Sequence, residues 1–122
     1  MALAREIMQG GISSGAAKAI NGGVSSTVTA AGTVITDAFD LTTGLNIITT
    51  AAAGSGVQLP YAEIGDSVEI LNVGANPVKV YPDASANQIN QIAAAGPFTL
   101  ATNTSVVVRK LTTTRWVAYL SA

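Results

Sequence analysis

The sequence predicts an all-β protein, a small antiparallel β-sandwich or barrel-like domain of jelly-roll or β-tulip type, preceded by an N-terminal arm. Three observations predict it. Short β-favouring runs recur at spacings near ten residues, each bounded by Gly, Pro, Asn or Ser. No helical period survives the breakers that interrupt it, so the helices required by a parallel βαβ architecture are missing. The chain of 122 residues is the size of one domain with one modest core. The boundaries follow as an arm over residues 1–22 and a single β-rich domain over residues 23–122.

In the arm, Leu3, Ile7 and Met8 share a helical face, but Gly10-Gly11 breaks the pattern and Ser13-Ser14-Gly15 precedes only a short turn through Ala16 to Ile20. These apolar residues sit in a segment too short to own a core, so Leu3, Ile7, Met8 and Ile12 are the candidate contacts with a neighbouring protein. From Gly23 the signal is strand. Val24 to Thr29 is β-favouring, Ala30-Ala31-Gly32 turns into a second run Thr33 to Thr36, and Leu45 to Thr50 makes a third. Gly54-Ser55-Gly56 opens Val57-Gln58-Leu59, which Pro60 closes because it lacks the N–H of a central ladder.

Asp66 to Val73 alternates so that Val68, Ile70 and Asn72 share a face. Gly74-Ala75-Asn76-Pro77 is turn chemistry, and Val78 to Tyr81 alternates back with Lys79 outward, which reads as a hairpin. Gln88 to Ile92 and Phe98 to Leu100 are brief segments divided by Gly96-Pro97. A second hairpin joins Ser105–Leu111 to Arg115–Leu120 through three threonines. In its last strand Trp116 and Ala118 oppose Val117 and Tyr119, so this strand is apolar on both faces and predicts cover on both. About nine strands result, with Trp116 favoured for the core.

Composition narrows the chemistry. Histidine and cysteine are absent, which removes thiol nucleophiles, the usual neutral-pH proton shuttle, disulfides and zinc sites built on those ligands. Asp37 and Asp40 bracket a turn, where Asp bonds nearby backbone; a catalytic carboxylate pair is not demanded by their spacing, and the alternating oxygen ligands of a calcium loop are missing. Gly54-Ser55-Gly56 lacks the third glycine and the Lys-Ser/Thr of a phosphate loop. Arg109, Lys110, Arg115 and Lys79 with Trp116 and Tyr81 form the kind of set that binds single-stranded nucleic acid, but 11% charged residues and a net charge of −1 favour the simpler reading of an edge strand guarded by cations. The mean hydropathy is +0.42, yet the long uncharged stretches are too rich in Thr, Gly, Asn and Pro to span a bilayer, and the start has no apolar signal region. No enzyme, cofactor, metal, nucleic-acid partner or membrane is expected.

Val57-Gln58-Leu59-Pro60, the stretch from Gly65 through Asn72-Val73-Gly74-Ala75-Asn76-Pro77 to Pro82, Ile89-Asn90, Pro97 to Leu100 and the closing Arg115 to Tyr119 occur in an order that resembles small structural proteins of tailed bacteriophages. The likeness covers residues 45 to 122 and is to the β-module of capsid decoration, or cement, proteins and of some fibre-type virion proteins. It implies a homotrimer made in the host cytoplasm that binds the major capsid protein on the outside of the icosahedral shell and stabilises it without catalysis. The alternative is a tail fibre or spike module that binds a receptor or glycan. A surface poor in charge suits either, because charged groups are depleted from interface cores.

Overall fold

The computed structural model describes residues 23–120, which are all-β with no helix. Ten strands form: β1 (Val24–Thr29), β2 (Phe39–Asp40), β3 (Leu45–Thr50), β4 (Gly56–Gln58), β5 (Ser67–Asn72), β6 (Val78–Tyr81), β7 (Gln88–Ile89), β8 (Phe98–Leu100), β9 (Thr104–Lys110) and β10 (Arg115–Leu120). They make a six-stranded sheet ordered β1-β3-β5-β9-β10-β7 and a four-stranded sheet ordered β2-β4-β6-β8.

The first six strands alternate between the two sheets, and within each sheet they pair in parallel. Antiparallel pairing was expected throughout; it occurs where β8 adds to β6, β9 adds to β5, and β10 returns along β9. The parallel part is a coil of three turns. Leu45 lies beside Val24 and Glu69 beside Leu45 in the larger sheet, and Val57 beside Phe39 and Val80 beside Val57 in the smaller, so a turn consumes between 18 and 24 residues. No helix is needed to return the chain, because the opposite sheet does so.

The expected hairpin between Asp66–Val73 and Val78–Tyr81 is therefore wrong in its pairing, although both strands exist. β5 lies in one sheet and β6 in the other, and the turn between them changes sheet. The cause is Asn72, which points into the core. Its amide donates to the carbonyls of Asn76, at 3.0 Å, and Leu100, at 3.2 Å, while its side-chain oxygen accepts the N–H of Gly74 at 2.9 Å. A chain held this way leaves the sheet instead of folding back on it.

The run Thr33–Thr36, expected as a strand, is a turn. The Asp37 carboxylate accepts the N–H groups of Val34, at 2.8 Å, and Thr33, at 2.9 Å, so these donors face a side chain and not a ladder. Those same hydrogen bonds hold the Asp37 carboxyl below the usual carboxylate range. Asp37 is thus the turn former expected, while Asp40 lies in β2.

One core joins both sheets. Val28, Ile48, Val68, Ile70, Val106, Val108 and Trp116 face it from the larger sheet, and Val57, Val78, Val80 and Leu100 from the smaller. The expected faces hold: Val68, Ile70 and Asn72 are buried together, as are Val106 and Val108, and Trp116 has no exposed surface. Gly56 is the close approach between turns of the coil, since a Cβ there would stand 2.7 Å from the Tyr81 ring and 2.8 Å from the Lys79 carbonyl oxygen. Only glycine fits.

Candidate assembly surface

The alternation that buries one face of the larger sheet turns the other outward, and that outward face carries aliphatic side chains from four strands. Strand pairing aligns Leu45, Glu69, Val107 and Tyr119 in one row across β3, β5, β9 and β10. Ile47, Leu71 and Ser105 align in the next, and Ser67, Arg109 and Val117 on the other side. Leu45, Ile47, Leu71, Val107 and Val117 are half-buried by their neighbours, whereas Tyr119 is 57% exposed. The structure thus covers one face of β10, through Trp116, and leaves the other open.

Strands at about 4.8 Å spacing and about 3.3 Å per residue give this face a span of roughly 20 by 25 Å. Leu45, Ile47, Leu71, Val107 and Val117 are interspersed there with Ser67, Glu69, Ser105 and Arg109, and clustered outward apolar side chains of this kind mark an interaction surface. Glu69 and Arg109, on adjacent strands, supply both signs of charge in its middle. Opposite charges on one face let a second copy align charge against charge.

The end of this sheet is fixed from inside by a buried polar cluster. The Lys110 ammonium donates to Asp83 Oδ2 at 2.6 Å, and Trp116 Nε1 and Asn87 Nδ2 donate to Asp83 Oδ1 at 2.9 and 2.6 Å. Both side chains of the ion pair are almost fully buried, at 7% and 4% exposure. Burial alone would raise the Asp83 carboxyl, but the bonds from Lys110, Trp116 and Asn87 outweigh it and hold it below its ordinary value. Lys110 also stands 5.7 Å from the Trp116 ring centroid and 5.8 Å from that of Tyr61, so one buried cation ties together the core aromatic and a surface one.

This arrangement corrects the expected gathering of cations on one edge. Lys110 points into the core and is neutralised there, Arg109 is exposed on the outer face, Lys79 belongs to the other sheet, and Arg115 donates to Gln88 Oε1 at 2.9 Å. Tyr81 is likewise buried, its hydroxyl donating to the Thr33 carbonyl at 3.0 Å, and burial raises it above the usual phenol range. Sequence reading missed Asp83 altogether. Its neighbours in sequence carry no signal, since its partners lie up to 33 residues away.

Among the described residues no group of three acidic side chains could hold a metal, and no helix is long and apolar enough to cross a membrane. The arm candidates Leu3, Ile7, Met8 and Ile12 lie outside the described residues. No family model, curated protein or solved structure matches the chain.

Proposed function

We propose that the protein is a non-enzymatic structural component of a virion, which decorates the outside of an icosahedral phage capsid as a homotrimer and stabilises it. The observation that supports this most is the outer face of the six-stranded sheet, where aliphatic side chains from four strands form one surface on the side away from the core. The mechanism is mechanical. Apolar area buried between copies and against the major capsid protein must be exposed again before the shell can open, at about 25 cal/mol per Å². The arm residues Leu3, Ile7, Met8 and Ile12 supply the proposed capsid contact and the sheet face the contact between copies.

Light scattering with mass determination tests both parts on the purified protein, alone and mixed with expanded capsids lacking decoration. The expected result is a trimer that saturates the capsids. Val107→Glu dissociates the trimer, and Leu3→Ser with Ile7→Ser leaves it trimeric but unable to bind. A monomer that ignores capsids would overturn the reading. The second reading is an attachment module of a tail fibre or spike, and it is favoured by one specific observation: Tyr61, an aromatic side chain 83% exposed, more than Tyr119 or Phe39.

A further inference from the structure

Tyr61 stands as a wall between two depressions. On one side lies a cleft of about 450 Å³, lined by Asp40, Thr42, Gln58 and Pro60 among others, and on the other a hollow of about 200 Å³ bordered by Glu63, Ile64, Lys110 and Thr113. The larger cleft is within the range of roughly 300–1,000 Å³ common to small-ligand sites. It forms where successive turns of the coil leave the smaller sheet: Asp40 at the end of β2 pairs with Gln58 at the end of β4, and Pro60 stops the strand there.

An exposed tyrosine is ordinarily a mobile side chain, but this one is held. Its hydroxyl donates to Glu63 Oε1 at 3.0 Å, and its ring centroid is 5.8 Å from the Lys110 ammonium, which Asp83 anchors from below. The ring is thus presented to solvent in a set position, so little conformational entropy remains to be lost when a ligand stacks on it.

The polar groups around it select the ligand. Among the described residues no lysine or arginine lines the larger cleft, and Asp40 is exposed there, so its field repels phosphates, sialic acids and nucleotides. A carboxylate accepts from two neighbouring hydroxyls at once. The Gln58 amide donates to the Asp83 carbonyl at 3.3 Å and has its own oxygen as a further acceptor, and the Thr42 hydroxyl both donates and accepts. Acceptors for vicinal hydroxyls beside an aromatic face that attracts the positive C–H edges of a ring are the complement of a neutral sugar. We infer that this cleft binds a neutral pyranose, stacked on Tyr61 with its hydroxyls on Asp40, Thr42 and Gln58.

Saturation-transfer NMR on the full chain tests it, with the methyl glycosides of glucose, galactose and mannose each at about 10 mM, a concentration suited to millimolar affinity. N-acetylneuraminic acid and inorganic phosphate are the anionic probes. At least one neutral glycoside is expected to receive saturation, strongest at its ring C–H protons. Tyr61→Ala abolishes the transfer, Asp40→Asn weakens binding by about tenfold, near one lost charge-assisted hydrogen bond, and Tyr61→Phe, which keeps the ring but loses its bond to Glu63, retains the transfer at lower affinity. Emission from the buried Trp116 verifies that each variant is folded. Transfer to none of the neutral glycosides, transfer to the anions instead, or an unchanged signal in Tyr61→Ala would overturn the inference. Val107→Glu, which tests the assembly surface, leaves sugar binding intact, so the two ideas fail separately.

Discussion

Asp83 is the residue on which most contacts converge. Its carboxylate receives three donors inside the protein, so removing it leaves a buried ammonium, an indole N–H and an amide without their acceptor. Asp83→Ala is expected to cost about 3–5 kcal/mol in urea unfolding, as for other broken buried pairs. Asp83→Leu combined with Lys110→Met is expected to recover most of that loss, because it removes both charges together. The same carboxyl sets an acid limit. Its folded value lies below that of the unfolded chain, about 3.9, so its stabilisation is complete above that pH and is lost as the pH falls through the folded value. Urea midpoints measured from pH 6 down to pH 2 should therefore drop more for the natural protein than for Asp83→Asn. A smaller test lies at Gly56, where Gly56→Ala forces a methyl against the Lys79 carbonyl and should lower stability by about 1–3 kcal/mol. Residues of this kind are poorly legible in sequence. Trp116 could be placed in the core from its size and alternation, whereas Asp83 is known only through partners brought from β9, β10 and the loop before β7.

At the level of elements, most strands were readable, Thr33–Thr36 and Phe39–Asp40 excepted, and of their pairings only that of β9 with β10 was. Period-two alternation is local, so Val68, Ile70 and Asn72, or Val106 and Val108, reveal which side faces inward. Whether two consecutive strands pair depends on the angle at which the chain leaves the first, and in β5 that angle is set by one buried asparagine. A Gly-Ala-Asn-Pro turn reads equally well as a hairpin or as a passage between sheets. Asn72→Asp tests the assignment: it removes the donors to Asn76 and Leu100 and adds a buried charge, so destabilisation of more than about 2 kcal/mol is expected, with Asn72→Ala at about 1–3 kcal/mol. The hairpin of β9 and β10 was legible because its connection of threonines is short and both arms are long, and the structure pairs Trp116 with Lys110 through to Leu120 with Val106. The outer face was visible only as a strand apolar on both sides; the rows that make it a surface need the register of four strands.

For the whole molecule, the coil has two unlike ends. β5 lies at the middle of the larger sheet, between β3 and β9, while β1 and β2 are edge strands with one neighbour each. Hydrogen exchange should follow this order, slowest at the amides of β5 and β9 and fastest in β1 and β2, which together contribute only Val28 to the core. Trp116→Ala is expected to shift that pattern globally and to lower stability by about 3–5 kcal/mol, since the indole closes the core beneath β9 and β10. The all-β class followed from the sequence because no segment of residues 23–120 could sustain a helix. The coil did not, because its turns share neither length nor motif: parallel neighbours are matched by shape and burial, as Val28 is to Ile48, more than by repeated letters.

A coil built this way also has a unit of growth. Each turn rests on the one before it through parallel strand pairing, with one antiparallel bridge between Ala31 and Gly56, and the antiparallel strands β8 and β9 that close the stack are attached to the last turn. A segment of 18 to 24 residues spliced between β4 and β5 would add one rung and move the closing strands outward by one strand spacing, about 4.8 Å, without altering any rung already laid down. The number of turns would then act as a ruler for the length of the stack, with loops of unequal length absorbed between rungs.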